Sequence, residues 1–273
     1  KTAVLGIISD SHGYTENVEK FSQYFKEIKA EGIIMLGDYA QMTYSKIDSD
    51  LTNYNEIESS LEAALKTGLP VYVIPGNHET KEDYTKAIET LSKEYGNLFD
   101  LSKIRMVDGD DFDLVSNPYG NGFGYFSEGF EGTEAQLLEV VNYVKKIQKD
   151  KDPGILVTHK PPKCKGKYGI DVPFLIAKDE DMNVGDENLD KFMKEYGIKF
   201  SLSGHIHEAG GRGVTADGDF IPPEEFVDEM RLNPGAASPQ SYWGEKFYEG
   251  SAMILTIEDG KAKYRQVVRK AED

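Results

Sequence analysis

The sequence has very little cysteine and no long hydrophobic segment. Cys164 is the only cysteine among 273 residues, so an intrachain disulfide is excluded. No apolar run approaches the roughly 18 residues that a membrane-spanning helix needs. The opening residues, KTAVLGIISDSHG, are typical of a strand rather than of a signal peptide. We therefore expect a soluble, cytoplasmic protein without a membrane contact, although a chain that starts with lysine leaves a removed leader open.

Positive charge is also scarce. Lys and Arg together number 31, against 48 for Asp and Glu, which gives a net charge of −17 at pH 7. A surface with this balance repels polyanions and lacks the basic face that sequence-independent nucleic-acid binding requires. The hydrophobic fraction of 39%, with 27 glycines and 11 prolines, is that of a globular protein and excludes disordered and fibrous classes.

Apolar runs and helically spaced segments alternate along the chain. Short runs rich in β-branched residues predict buried strands at Ala3–Ser9, Ile33–Leu36, Val71–Ile74, Ile155–Thr158 and Phe200–Ser203. Apolar residues at helical spacing predict helices at Val18–Ile28, Ile57–Leu65, Tyr84–Leu91, Leu137–Ile147 and Leu189–Tyr196. Two further segments, Arg105–Ser116 and Met253–Arg269, resemble antiparallel strand pairs and indicate a second sheet. We predict one α/β domain over residues 1–273.

Polar side chains that can bind metals follow the predicted strands. All five histidines of the sequence lie just after a strand-like run. The complete set of such residues is Asp10, His12, Asp38, Asn77, His78, His159, His205 and His207. In an open α/β sheet, ligands bind beyond the carboxyl ends of the strands, so these side chains are expected to converge on one edge.

The spacing and chemistry of this set indicate a metal site. Asp10 and His12, like His205 and His207, stand at positions i and i+2, which project to the same side of an extended segment. Mixed nitrogen and oxygen ligands suit manganese, iron, zinc or nickel. The set is larger than one ion uses, and a carboxylate such as Asp38 can bridge two ions about 3.5 to 4 Å apart.

The motifs, taken in order, resemble those of the calcineurin-like metallophosphoesterase superfamily. They are Asp10-x-His12, Gly37-Asp38, Gly76-Asn77-His78-Glu79, Thr158-His159 and Gly204-His205-x-His207. The stretches THKPP, GHIHE and LNPGAAS are similar to the small single-domain prokaryotic branch of that superfamily. The resemblance implies a four-layer sandwich of two mixed β-sheets flanked by helices, which agrees with the strand and helix pattern.

The resemblance also implies two divalent metal ions per chain and a role for each ligand. Asp10, His12 and His207 would hold one ion, Asn77, His159 and His205 the other, and Asp38 would bridge them. His78 would stay free of metal and would protonate the leaving oxygen or stabilise the charge of the transition state.

The reaction implied is hydrolysis of phosphate mono- or diesters by hydroxide formed from a metal-activated water, with Asp38 and His78 as catalytic residues. The segment Gly37-Asp38-Tyr39-Ala40-Gln41 lacks the Asp-Arg-Gly of phosphoprotein phosphatases, which argues against that class. A nuclease acting on single strands and a noncatalytic binding module on the same fold are the alternatives.

Two cationic residues are candidates for binding a small phosphate-ester substrate. Lys160 begins a lysine-rich stretch directly after His159, and Arg212 follows His207 by five positions. A guanidinium can contact a phosphate through two parallel hydrogen bonds, whereas a lysine attracts it as a point charge. A solvated loop is the plain alternative for the lysines, and a surface salt bridge for the arginine.

Overall fold

The computed structural model describes residues 2–41, 53–118, 134–147, 152–173, 183–242 and 245–270. The strands are β1 Thr2–Ile8, β2 Gly32–Met35, β3 Val71–Val73, β4 Leu98–Asp100, β5 Met106–Asp108, β6 Asp113–Asn117, β7 Gly154–Thr158, β8 Phe200–Leu202, β9 Arg212–Val214, β10 Phe220–Ile221, β11 Met230–Asn233, β12 Gln240–Tyr242, β13 Glu245–Tyr248, β14 Gly250–Glu258 and β15 Lys261–Arg269. The helices are α1 Thr15–Glu27, α2 Asn53–Leu65, α3 Lys81–Glu94, α4 Glu134–Ile147 and α5 Glu187–Tyr196.

The strands form two mixed sheets. The first has six strands in the order β15-β14-β1-β2-β3-β4, and the second has seven in the order β10-β9-β11-β8-β7-β6-β5. Strands β1 to β4 are parallel to one another, as are β6, β7, β8 and β11, while β14 and β9 run antiparallel to their neighbours β1 and β11. Strands β12 and β13 form a separate hairpin.

The hydrophobic core lies in three layers between these elements. Leu5 and Ile34 of the first sheet, with Leu36 just after β2, meet Val157 and Leu232 of the second, so the sheets pack face to face. A second cluster joins the first sheet to α1, α2 and α3, and a third joins the second sheet to α4 and α5. The predicted architecture of two mixed sheets flanked by helices is therefore confirmed.

Each predicted strand and helix is present, and the differences lie at the boundaries. Helix α3 begins at Lys81 rather than Tyr84 because the Thr80 hydroxyl caps it, accepting a hydrogen bond from the Asp83 amide at 3.1 Å. Asp186 caps α5 in the same way. The polar first turn of a helix carries no apolar spacing, so the periodicity detects a helix only after its first turn.

The two predicted antiparallel pairs belong to different sheets. Strands β5 and β6 lie in the second sheet, as the pattern indicated. Strands β14 and β15 extend the first sheet instead, because β14 pairs with β1 along its length from Thr2↔Glu258 to Ile7↔Met253. Within the described ranges, no helix is long and apolar enough to cross a membrane.

Candidate metal centre

The predicted ligands all follow the carboxyl ends of parallel strands. Asp10 and His12 follow β1, Asp38 follows β2, Asn77 and His78 follow β3, His159 follows β7, and His205 and His207 follow β8. Because these strands come from both sheets and end at the same edge of the sandwich, their side chains converge there. Three groups of these residues place their ligand atoms within 4.8 Å of one another and could each hold a metal ion.

The first group is Asp10, His12 and His207. The Nε2 atoms of His12 and His207 lie 3.1 Å apart, and Nε2 of His207 lies 3.2 Å from Oδ1 of Asp10. Asp10 and His12 are buried, while the His207 side chain keeps about a quarter of its surface exposed, at 26%. Solvent can therefore reach this group from the side of His207, whereas Asp10 and His12 are enclosed.

The second group is Asp38, His159 and His205. Nε2 of His159 lies 3.1 Å from Oδ2 of Asp38 and 2.9 Å from Oδ1 of Asn77. The rings of His159 and His205 meet edge to face, with their centroids 5.1 Å apart. The amide oxygen of Asn77 thus faces the same point as the other three ligand atoms.

Asp38 and His78 join the two groups. His12, Asp38 and His78 form the third group, so Asp38 is shared with the second. Nε2 of His78 lies 3.7 Å from Oδ2 of Asp38, and the rings of His78 and His12 are 4.5 Å apart. The structure thus places His78 among the ligand candidates, and the role free of metal assigned to it above stays a prediction.

The hydrogen bonds behind the histidine rings fit a metal ion. Nδ1 of His159 lies 2.7 Å from the carbonyl oxygen of Leu36, and Nδ1 of His12 lies 3.2 Å from that of Ala40. A ring that donates its Nδ1 hydrogen to a carbonyl keeps the Nε2 lone pair for a cation. With that tautomer, the lone pair of His159 lies 2.9 Å from the oxygen of Asn77, and the two acceptors would repel each other unless both bound a cation.

Charge in the centre agrees with this fit. Burial opposes ionisation of Asp10, but His207 outweighs it and lowers the pKa of Asp10 to about 2. Burial also opposes protonation of His159, but Asp38 outweighs it and raises the pKa of His159 to about 10. Burial and the neighbouring His159 lower the pKa of His205 to about 4. The buried carboxylates of Asp10 and Asp38 are therefore stabilised by positive charge. Protons on the histidines and divalent cations compete to supply this charge.

The backbone is strained where it carries the ligands. Of the seven non-glycine residues with positive φ in the described ranges, four are ligand candidates, namely Asp10, His12, Asp38 and His205, with φ between 45° and 68°. A non-glycine residue in this region costs about 1 to 3 kcal/mol, and such residues cluster at functional sites. The turns at the strand ends therefore hold these four side chains in position at the cost of an unfavourable backbone conformation.

Glu79 organises two of these turns, a role that the sequence did not indicate although the residue stands in the third motif. Its carboxylate is fully buried and accepts hydrogen bonds from four backbone amides, those of Gly76 at 2.6 Å, Asp38 at 3.1 Å, Tyr39 at 2.6 Å and Ala40 at 3.2 Å. Burial, together with the charge of Asp38, raises the pKa of Glu79 to about 7. Glu79 thereby ties the turn of Asp38 to the turn of Asn77 and His78.

Replacing Glu79 with glutamine is expected to weaken both folding and metal binding. The amide group would turn its NH2 toward backbone donors, and each donor left without an acceptor costs about 1 to 3 kcal/mol. Thermal unfolding and calorimetric metal titration measure the two effects. Glu89→Gln on the exposed side of α3 is the matched control. Wild-type stability and wild-type metal affinity in Glu79→Gln would show that the carboxylate does not hold the turns.

Two asparagines support the same edge. Asn53, the first residue of α2, donates to the carbonyl oxygen of His78 at 2.9 Å and accepts from the Thr80 amide at 3.3 Å. Asn233, at the end of β11, donates to the carbonyl oxygen of Ile206 at 2.9 Å. These contacts hold the His78 turn and the segment between His205 and His207.

The two predicted substrate-binding residues are close in sequence to metal-ligand candidates, and their role stays a prediction. Lys160 follows the ligand His159 and is half-buried. The other lysines of that stretch have partners of their own: Lys163 pairs with Glu187, Lys165 pairs with Asp217, and Lys167 lies 4.9 Å from the centre of the Tyr168 ring. Arg212 is the first residue of β9, and its Nη2 atom donates to the carbonyl oxygen of Glu208 at 3.0 Å.

A family model described as calcineurin-like phosphoesterase matches residues 3–209 of the chain. That range contains every predicted metal ligand. The match ends before β9, so Arg212 and the strands that follow it lie outside the matched range. No curated protein matches the sequence at a significant level.

Solved structures of other proteins share the fold. A dimetal phosphatase from Danio rerio is similar at 10% identity over 99% of each chain, with a TM-score of 0.61. The protein TT1561 of Thermus thermophilus is similar at 12% identity over 97% of this chain and 99% of that one, with a TM-score of 0.59. GAP50, the anchor in the inner membrane complex of Plasmodium, is similar at 11% identity over 100% of this chain and 86% of that one, with a TM-score of 0.58. Identities this low support the fold alone.

Proposed function

The chain belongs to the calcineurin-like phosphoesterase family, and from that premise we propose that it is a metal-dependent hydrolase of small phosphate mono- or diesters. The observation that carries the proposal is the position of Asp38, which shares one ligand group with His12 and another with His159 and His205, so that it faces both proposed ligand sets. A carboxylate shared in this way is what a bridge between two cations requires. We therefore assign two divalent cations per chain, drawn from manganese, iron, zinc and nickel, to the candidate metal centre.

The ligands divide between the two cations by their position. Asp10, His12 and His207 would hold one, and Asn77, His159 and His205 the other. When bound, the cations would lower the pKa of a coordinated water and neutralise charge on the phosphoryl oxygens. Asp38 and the backbone turn that Glu79 holds would fix the spacing between the two sets.

His78 would supply the proton that the leaving oxygen needs. Its Nε2 atom lies on the cluster side, 3.7 Å from Oδ2 of Asp38, and 19% of its side chain is exposed. Within the described ranges, its Nδ1 atom is buried without a hydrogen-bond partner. A histidine at the rim, close to the ligands and reachable from solvent, can protonate a leaving alkoxide as it departs.

The proposal is tested by metal removal. Purified protein is assayed with 4-nitrophenyl phosphate and bis(4-nitrophenyl) phosphate before and after exhaustive chelation, and again after manganese, iron, zinc or nickel is returned. Activity is expected to fall to background and to recover with at least one metal, because the reaction needs the cations. Turnover that survives chelation would overturn the proposal, and a protein that binds two metals but hydrolyses neither ester would be a noncatalytic binding module.

A further inference from the structure

Arg212 and Tyr248 lie at the edge of the sandwich where the metal ligands gather. Strand β9 runs antiparallel to β11, and β14 runs antiparallel to β1, so both begin at the edge where their parallel neighbours end. Arg212 is the first residue of β9, and Tyr248 is the last residue of β13, just before β14 begins at Gly250. Both residues lie outside the range that matches the family model.

Arg212 differs from the other arginines of this acidic chain in its partners. The others each pair with a carboxylate: Arg105 with Glu139, Arg231 with Asp190, Arg265 with Glu224 and Arg269 with Glu16. Among the described residues, no carboxylate pairs with Arg212, whose guanidinium is half-buried and donates to a single carbonyl oxygen. A half-buried cation with most of its donors unused is suited to an anionic ligand.

Tyr248 supplies a second donor near the start of β9, where Arg212 pairs with Asn233. Its side chain is half-buried and interacts electrostatically with Arg212, Glu208 and the metal-ligand candidate Asp10. Burial, with the charge of Asp10, raises the pKa of Tyr248 to about 12. No side chain or carbonyl within the described ranges accepts that proton.

The turn after β11 leaves room for the Tyr248 hydroxyl. Gly235 in this turn has φ of +80°, and a Cβ atom there would lie 3.3 Å from the Tyr248 oxygen. A larger residue would therefore crowd the hydroxyl as well as strain the backbone. The phenol reaches the turn held by Asn233, the residue that also supports the His205 and His207 segment.

We propose that Arg212 and Tyr248 form a donor pair that binds an additional anionic oxygen of the substrate, and that the substrate is therefore a phosphate monoester rather than a diester. The inference rests on the proposed function. A monoester carries about two negative charges on three terminal oxygens at neutral pH. In a diester one of those oxygens is esterified, so it is uncharged and brings a second substituent against the pair. A guanidinium and a phenol therefore favour the monoester.

The first test compares one monoester with one diester that shares its leaving group. kcat/KM is measured for 4-nitrophenyl phosphate and bis(4-nitrophenyl) phosphate with metal-loaded wild type, Tyr248→Phe and Arg212→Met. We expect wild type to prefer the monoester, and each variant to lose about 10-fold to 100-fold on the monoester with little change on the diester. Tyr168→Phe and Arg265→Met, at exposed positions, are the matched controls.

The second test measures the binding of inorganic phosphate, which involves no turnover. Calorimetry with inorganic phosphate and metal-loaded protein is expected to give a dissociation constant about tenfold higher in Tyr248→Phe than in wild type, at equal metal content. An unchanged monoester-to-diester ratio, or unchanged phosphate affinity in both variants, would overturn the donor pair. A wild type inactive on both esters would overturn the proposed function instead, and the phosphate titration would still decide the role of Arg212 and Tyr248.

Discussion

An Asp38→Asn protein is expected to lose at least one bound metal ion and nearly all turnover. Asparagine keeps the size of the side chain but replaces a charged oxygen with a neutral amide. The Oδ2 atom of Asp38 lies 3.1 Å from Nε2 of His159 and 3.7 Å from Nε2 of His78, so the substitution removes negative charge from the middle of the cluster. Removing a ligand should lower the metal affinity by more than the roughly 10-fold to 100-fold that is typical when a residue hydrogen-bonded to a ligand is mutated.

Elemental analysis and calorimetric metal titration measure the effect, with Asp219→Asn on the exposed β9–β10 hairpin as the control. The Asp38 carboxylate also accepts a hydrogen bond from the His78 amide at 2.9 Å, so thermal unfolding is recorded to separate loss of metal from loss of the turn. An Asp38→Asn protein that holds two ions per chain with wild-type affinity would rule out the bridge.

The second large effect is expected for His78→Ala, which should keep its metal ions and lose about 100-fold to 10,000-fold in kcat. The loss should grow as the leaving group becomes more basic, because a poor leaving oxygen depends more on the proton that His78 donates. Phenyl phosphate is therefore expected to suffer more than 4-nitrophenyl phosphate.

Metal content distinguishes this role from ligation. His78 lies in one of the ligand groups, so a His78→Ala protein that loses metal in parallel with turnover would make it a ligand. An equal loss for both leaving groups, with metal retained, would assign His78 to charge stabilisation in the transition state. Unchanged turnover would remove it from the mechanism.

Much of the fold follows from local sequence patterns. Strands such as β1 and β7 are buried on both faces, so their sequences read as continuous apolar runs, and helices such as α5 carry apolar residues at a period of 3.6. The position of the metal ligands follows from the rule that ligands bind beyond the carboxyl ends of the strands in an α/β sheet. Asp10 and His159 could therefore be placed at one edge before any coordinates were known.

The parts that could not be predicted depend on contacts between distant segments. The pattern of Met253–Arg269 indicates an antiparallel pair but carries no information on which sheet accepts it. Glu79 stands in the third motif, but its role is missed because it accepts hydrogen bonds from backbone amides, which every segment of the chain offers. Tyr248 is missed because its closeness to Arg212 arises only when β9 and β14 start at the same edge.

The pairing of β1 with β14 also has a consequence for how the protein is made. Thr2 and Glu258 share a hydrogen bond across 256 positions of the chain, and β14 is one of the two neighbours of the strand that leads to Asp10 and His12. A nascent chain can therefore complete this sheet only after β14, which lies far along the chain from β1, has been synthesised. Contacts of such long range slow folding. Asp10 and His12 are thus held in place by a strand that is synthesised after every other predicted ligand.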